Sequence, residues 1–485
     1  MRHTPLLLLL LLLSLLLSAC FEDEDYTTSP DVFLQSDVDT LRFDTVISGE
    51  PTNTYTFRLF NPSDKYVRIA QVFLEGGAAS PFHVNIDGAV IEDGGAVSLE
   101  VAGKDSASVF LMANLPDADA DEPQFVRDRL VLITEGGART EVVLEASGQS
   151  VVKMRAVKVT ADTRLSSARP YQVFDSLVVA AGATLTLPAG TRLWMHPQAR
   201  LIVHGTLKAE GTAEAPVVVR GDRLGDMFNN QSYDRIPAQW GGIVIKAEST
   251  GNVIDHADIH SATFGILVEN GGDAGTERLR MENSVVHNMS GLCLEAENSK
   301  IFVGNSQITN GGAGCVALRG GDAVFVHCTI GRFYSFTGGF GAALTFTNAD
   351  ASGDPLPLLR AEFLNTIITG YSTDEVMAER AHDDAAAAFN FRFDHCLLDT
   401  DPVDDPAIAN ACLWDNADAS VCREDNFEPA FDFTTLVFTF GLCAESQAVG
   451  SADPSVTAAY YPLDLLGRPR GATPDMGCYQ RQATE

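Results

Sequence analysis

Between about residues 155 and 400 two short patterns of polar and apolar positions recur in alternation. The first runs His256-Ala257-Asp258-Ile259, Asn283-Ser284-Val285-Val286, Asn305-Ser306-Gln307-Ile308, His327-Cys328-Thr329-Ile330, Asn365-Thr366-Ile367-Ile368, His395-Cys396-Leu397-Leu398, with starts 27, 22, 22, 38 and 30 residues apart. The second opens on glycine at Gly242, Gly265, Gly291, Gly314 and Gly341, spaced 23, 26, 23 and 27. Each is short and apolar, bounded by polar turn residues, as strands are. A unit of this size cannot bury its own apolar face, so neighbours stack into a solenoid with one continuous core. Stacking at about 4.8 Å would line up the Asn and His residues in a side-chain ladder at a turn. The glycines suit a turn with positive φ. The longer spacings predict loops bulging from a coil at residues 350–359 and 375–385.

The flanking stretches read differently. Residues 31–150 hold alternating apolar and polar runs, such as Tyr55-Thr56-Phe57-Arg58-Leu59-Phe60 and Glu141-Val142-Val143-Leu144-Glu145-Ala146. About seven short strands separated by Gly, Asn, Asp and Pro predict a β-sandwich. Residues 1–19 join a basic start to an apolar run and end in small residues, the form of a secretory signal. That run is shorter than the roughly 20 residues a bilayer span needs. The expected plan is all-β: signal 1–19, tether 20–30, sandwich 31–150, parallel β-helix 155–400, and C-terminal coils with a cap at 401–485.

Several motifs resemble known families. Leu17-Ser18-Ala19-Cys20 resembles the bacterial lipobox, which implies cleavage before Cys20 and a diacylglycerol anchor on its thiol. Glu22-Asp23-Glu24-Asp25 resembles the acidic export signal of Bacteroidetes lipoproteins and implies display on the outer membrane's outer face. Asn61-Pro62 closing a strand resembles Ig-like modules of the abnormal-spindle and hydin type. The phrases around Leu185–Met195, Leu201–Thr212 and Gln239–Ile245 resemble the opening coils of right-handed, pectin-lyase-like β-helices. Asp464-Leu465-Leu466-Gly467-Arg468-Pro469-Arg470 with Asp475-Met476-Gly477-Cys478-Tyr479 resembles a choice-of-anchor ending, expected to cap the solenoid's open end, where unpaired edges invite aggregation. Together these resemble one family of Bacteroidetes envelope lipoproteins.

Charge narrows the partners. The formal net charge is −32, against nucleic acid, which wants a basic stripe, and against acidic polysaccharide unless a cation bridges. Lysine is rare, seven against 26 arginines. Nine cysteines occur. Cys412 and Cys422 flank a polar loop and are the candidate disulfide. Cys293, Cys315, Cys328 and Cys396 sit in apolar runs and read as small buried core residues. No Cys/His spacing of a zinc site appears.

The candidate chemistry is sparse. Asp258 and His260 point the same way along a strand, with His256 beside them, which makes an acid/base or metal patch or merely the tiling of a coil. Tyr233, Asp234, Arg235 and Trp240, in an insertion before the Gly242 coil, are candidates to line a sugar site, or simply form a loop of the fold. His382-Asp383-Asp384 is an acidic loop. The leading expectation is a non-catalytic envelope lipoprotein that presents a rigid β-helix to carbohydrate or protein, with no cofactor and no resident metal. The alternative is a polysaccharide lyase or glycoside hydrolase, with calcium under the lyase reading only. Three or more carboxylates with a basic residue on one sheet face would distinguish the two.

Overall fold

The computed structural model describes residues 25–91, 99–228, 231–272, 274–333, 341–383, 387–415, 426–428 and 431–482. Cys20 and Cys422 lie outside the described residues. The chain divides into two compact units at Ser150/Val151, and among the described residues no helix is long and apolar enough to cross a membrane.

The first unit is a sandwich of two five-stranded sheets. One is antiparallel, with Tyr55–Phe60 and Ser106–Ala113 at its centre. The other is antiparallel except where Thr40–Ile47 runs parallel to Arg139–Gln149. Alternation buries one face of each: Phe57, Leu59, Val109 and Leu111 meet Phe43, Ile69, Leu132 and Leu144 in one core. Asn61, fully buried, donates to the carbonyls of Lys65, Val101 and Ala102, so its amide replaces the ladder bonds that the following proline cannot make.

The second unit is a right-handed parallel β-helix built on three ladders. The first runs through Val217–Gly221, Ala257–His260, Val285–Met289, Gln307–Gly311, Thr329–Arg332, Ile367–Gly370, Leu397–Leu398 and Leu413–Trp414. The second includes Gly242–Ile245, Ile266–Val268, Leu292–Glu297, Gly314–Arg319 and Leu344–Thr347. The third includes Asn252–Asp255, Glu277–Glu282, Lys300–Gly304, Gly321–Val326 and Leu358–Leu364. Ile259, Val286, Ile308, Ile330, Ile368 and Leu398 point inward in register. Phe325, Phe363 and Phe393 stack beside them with centroids 5.0 Å apart.

The polar pattern falls on the corner between the third and first ladders. His256, Asn283, Asn305, His327, Asn365 and His395 all have φ between +47° and +52°, a left-handed conformation that Asn and His adopt more readily than most residues. Their side chains bond from coil to coil: Asn283 Nδ2 to Asp255 at 2.9 Å, Asn305 Nδ2 to Asn283 at 2.8 Å, Asn365 Nδ2 to His327 Nε2 at 3.0 Å. The residue after each corner points inward, and where it is Ser or Thr its hydroxyl accepts an amide from the coil before, as Ser284 does from Ala257 and Ser306 from Ser284. Cys328, Cys396 and Cys412 occupy the same column, and Cys293, Cys315, Cys328 and Cys396 are fully buried.

Three expectations are corrected. The glycines of the second pattern are not uniformly at positive φ: Gly242 and Gly314 are, at +118° and +137°, but Gly265 and Gly341 are not. They are needed because the next backbone passes close, and a Cβ on Gly265 would lie 2.1 Å from the Cys293 carbonyl oxygen and one on Gly341 2.2 Å from that of Ala313. The stretch 375–385 is not all loop, because Val376–Glu379 pairs in register with Leu344–Thr347. Buried Glu375 anchors it by accepting the Ala343 amide. The C-terminal motif lies along the side of the coils rather than over an open end. Tyr461 donates to Glu282, Arg470 to Asn305, Gly477 N to the Asn365 carbonyl, and Tyr479 to Gln307. His327 meets Thr457 Oγ1 at 2.8 Å. The cause is apolar surface on the coils' outer face: Phe333, Ile367 and Leu397 need cover, and Phe427, Phe431, Phe440 and Met476 supply it.

Candidate functional site

The first ladder has two outward columns. One holds Asp258, Val285, Gln307, Thr329 and Ile367, and the other His260, His287, Thr309, Gly331 and Thr369. Strand alternation sends both outward while Ile259, Val286 and Ile308 fill the core. At one end of this face the insertion before Gly242 folds back over it. Its short 3-10 turn, Tyr233–Arg235, is capped by Ser232 Oγ, which accepts from Asp234 N. Ser261 Oγ donates to the Asp234 carbonyl, Asn288 Nδ2 to that of Arg235, and Arg235 reaches the Thr435 carbonyl at 2.9 Å. The carboxylate of Asp234 is thereby fixed above the two columns.

A connected cluster results. His260 Nδ1 lies 2.8 Å from Asp258 Oδ1, and its Nε2 lies 2.8 Å from Asp234 Oδ1. His287 Nε2 lies 3.2 Å from the same Asp258 oxygen, and the two imidazole centroids are 4.9 Å apart. Arg220 holds Asp234 at 2.7 Å. The side chains of Asp258, Asp234 and His287 keep 38, 39 and 24% of their surface, against 8% for His260, so the cluster opens to solvent on the Asp258–His287 side. Next along the face, Gln307 accepts from Tyr479 at 2.7 Å and donates to Thr309 Oγ1.

Burial alone would lower the His260 pKa, but the charge of Asp258 and the bonds to both carboxylates outweigh it and raise it to about 9. Burial opposes ionisation of Asp258, yet His260 and His287 hold its carboxyl well below the usual range. Asp234 is likewise held low against its burial by His260 and Arg220. Burial pulls Arg220 down, opposed by the charges of Asp234, Asp258 and Asp222. A bridging imidazolium between two carboxylates follows from opposite charges at hydrogen-bond distance in a partly enclosed site.

The sequence candidates separate. Asp258, His260 and Asp234 come together. Trp240 is corrected: it is fully buried and its ring N–H donates to the His260 carbonyl, so it supports the strand from beneath and offers no sugar platform. Tyr233 is half-buried with Arg223 over its ring at 5.4 Å, and Arg235 joins insertion to tail. His256 is a corner residue pairing with Asp255. His382 bonds the Gly353 carbonyl, away from the cluster, and Asp384 lies outside the described residues. Cys412, half of the candidate disulfide, is a free thiol that follows the Cys396 position in its column. His287 and Arg220 escaped sequence reading. The signal was available: counting four residues on from each corner places His287 directly over His260.

Comparison with known proteins agrees with this architecture. A family model described as a pectate-lyase-like β-helix domain matches residues 157–289, and one described as a right-handed β-helix region matches residues 237–349. No curated protein matches the chain. Among solved structures, the catalytic unit of a thermostable GH87 α-1,3-glucanase from Streptomyces thermodiastaticus strain HF3-3 is 10% identical, with a TM-score of 0.20, covering 72% of this chain and 89% of that one. A protein of unknown function from Porphyromonas gingivalis W83 is 9% identical, with a TM-score of 0.18, covering 27% of this chain and 50% of its own. A family 123 glycoside hydrolase from Clostridium perfringens is 10% identical, with a TM-score of 0.18, covering 24% and 26%. The chain thus spans half or less of the last two proteins, and TM-scores this low say nothing about chemistry. The registers and the matched segments together identify the second unit as a pectate-lyase-like, right-handed parallel β-helix.

Proposed function

We propose that the chain is an exported, lipid-anchored protein of the bacterial cell envelope that binds carbohydrate without cleaving it. Its binding face is the end of the first ladder's outward side that the tail leaves open, at Asp258 and His287. One observation carries this reading: the Arg220–Asp234–His260–Asp258–His287 cluster lies on that face and opens to solvent, with half-buried Tyr479 beside it. Imidazole and ionised carboxylates exposed together suit the many hydroxyl groups of a sugar chain.

The feature chosen to favour an enzyme is present in outline, since Asp222, Asp234 and Asp258 surround Arg220. What weighs against catalysis is that every carboxylate is already committed. Asp222 bonds Gln172 and His196, Asp234 bonds Arg220 and His260, and Asp258 bonds two histidines. Glycoside hydrolysis needs one carboxyl kept protonated as an acid, whereas the pairings of Asp234 and Asp258 favour the ionised form. The Cys20 anchor and the acidic residues behind it support an envelope location; Cys20→Ser should move the chain from the membrane fraction to the soluble one.

The test is a glycan array run together with an activity screen against acidic and neutral polysaccharides. Binding without cleavage, lost in Asp258→Asn/His287→Gln, is the expected result. Cleavage by the parent that disappears in Asp258→Asn/His260→Gln would overturn this reading and make the protein a polysaccharide lyase or hydrolase.

A further inference from the structure

The donor set at the open end of the cluster has a chemistry of its own. Asp258, His260 and His287 each offer one ligand-type atom, and these three atoms lie within 4.8 Å of one another. Two edges of that triangle, from the Asp258 oxygen to His260 Nδ1 and to His287 Nε2, are 2.8 and 3.2 Å. Bonds of about 2.0–2.2 Å at tetrahedral angles place ligand atoms about 3.3 Å apart, so small side-chain rotations seat an ion.

From this geometry we infer that Asp258, His260 and His287 form a binding site for one divalent transition-metal ion of the zinc class. Two imidazole nitrogens and one carboxylate oxygen favour zinc, iron, cobalt or nickel over calcium and magnesium, which want oxygen ligands alone. Asp234 occupies the position of an outer partner. It faces His260 Nε2 at 2.8 Å, so with Nδ1 on the metal the ring's remaining N–H donates to a carboxylate, the usual way a protein fixes a ligating histidine. Arg220 on the same Asp234 oxygen keeps that carboxylate oriented. The ligands come from adjacent strands of one ladder, His260 and His287 being direct register partners, so the site is held by rigid backbone. Exposure of Asp258 and His287 leaves coordination positions facing solvent, where a water or an oxygen of a bound molecule would sit.

The inference stands apart from the carbohydrate reading, because its test measures metal directly. The purified full chain, solubilised in detergent and stripped with chelator, is dialysed against Zn2+, Co2+ or Ca2+ and the bound metal counted. One Zn2+ or Co2+ per chain is expected, with far weaker Ca2+ binding. Asp234→Asn should weaken the zinc-class ion about 10–100-fold, and Asp258→Asn should abolish its binding. If Asp258→Asn fails to fold, His287→Gln, checked by circular dichroism, decides. The Co2+ spectrum identifies the ligands, since binding at the buried cysteines would add an intense thiolate charge-transfer band. No bound metal in the folded parent, such a band, full stoichiometry in folded His287→Gln, or Ca2+ bound as tightly as Zn2+ would each overturn the assignment.

Discussion

The corner ladder makes a quantitative prediction at Asn305. This residue is 2% exposed, has φ +47°, donates to Asn283 at 2.8 Å and accepts from Arg470 at 2.8 Å. Replacing it with alanine removes a neutral hydrogen bond worth about 1 kcal/mol and one to a cation worth about 1.5–3 kcal/mol. It also leaves a side chain with no local polar partner in the left-handed region, at about 1–2 kcal/mol. The expected loss for Asn305→Ala is about 3.5–6 kcal/mol. Asn305→Gly loses the same bonds but not the backbone preference, offset by about 0.4–1 kcal/mol of extra unfolded-chain entropy. Glycine should therefore be the milder change by about 1 kcal/mol. Urea unfolding followed by far-UV circular dichroism measures both, and hydrogen exchange localises the loss to the corner and the tail. Equal destabilisation by the two variants would refute the conformational part of the argument. A loss below about 1 kcal/mol in both would refute the ladder as a source of stability.

Three further outcomes are expected. Burial and the nearby Arg470 charge hold the His327 imidazole well below its ordinary value, so the unfolded chain takes up a proton below about pH 6.5 that the folded chain resists. That stability is whole above pH 6.5 and falls as pH drops, by up to about 1.4 kcal/mol per unit; His327→Asn, the residue used at three other corners, should flatten the dependence in melting scans from pH 7 to 5, and an unchanged slope would exclude His327 as its source. Ile308→Asp places an unpaired carboxylate in the fully buried column at a cost of several kcal/mol and should abolish cooperative melting of the second unit, whereas a near-normal melting curve would mean the inward register is wrong. Gly265→Ala forces a Cβ toward the Cys293 carbonyl and should cost about 1–3 kcal/mol, whereas a neutral result would show that the coils separate freely there.

What the sequence revealed follows from where the constraint is local. Asn and His at the corners are visible because the left-handed backbone selects for side chains once per coil. The inward isoleucines are visible because alternation is strict. The glycines were visible as a pattern, but their cause was a neighbour's carbonyl, which no single strand records. Val376–Glu379 was missed because its reason for pairing lies in Leu344–Thr347, 32 residues earlier. The site was half legible: Asp258 and His260 share a strand, whereas His287 belongs to the next coil, Asp234 to an insertion and Tyr479 to the tail. Trp240 illustrates the opposite error, an aromatic in a polar insertion that turns inward because it closes the core beneath His260.

The placement of the C-terminal motif has a mechanical consequence. Residues 453–479 are fastened to Glu282, Asn305, His327 and Asn365, at or beside the corners of four consecutive coils, although the chain continues through Trp414 before returning. The last coils therefore sit inside a loop whose ends are pinned together. A pull on the C-terminus loads a row of bonds in shear across the middle of the stack, and cannot strip the final coil first. Such a row resists until several bonds yield at once, so the end of the chain serves as a strap against unravelling under tension.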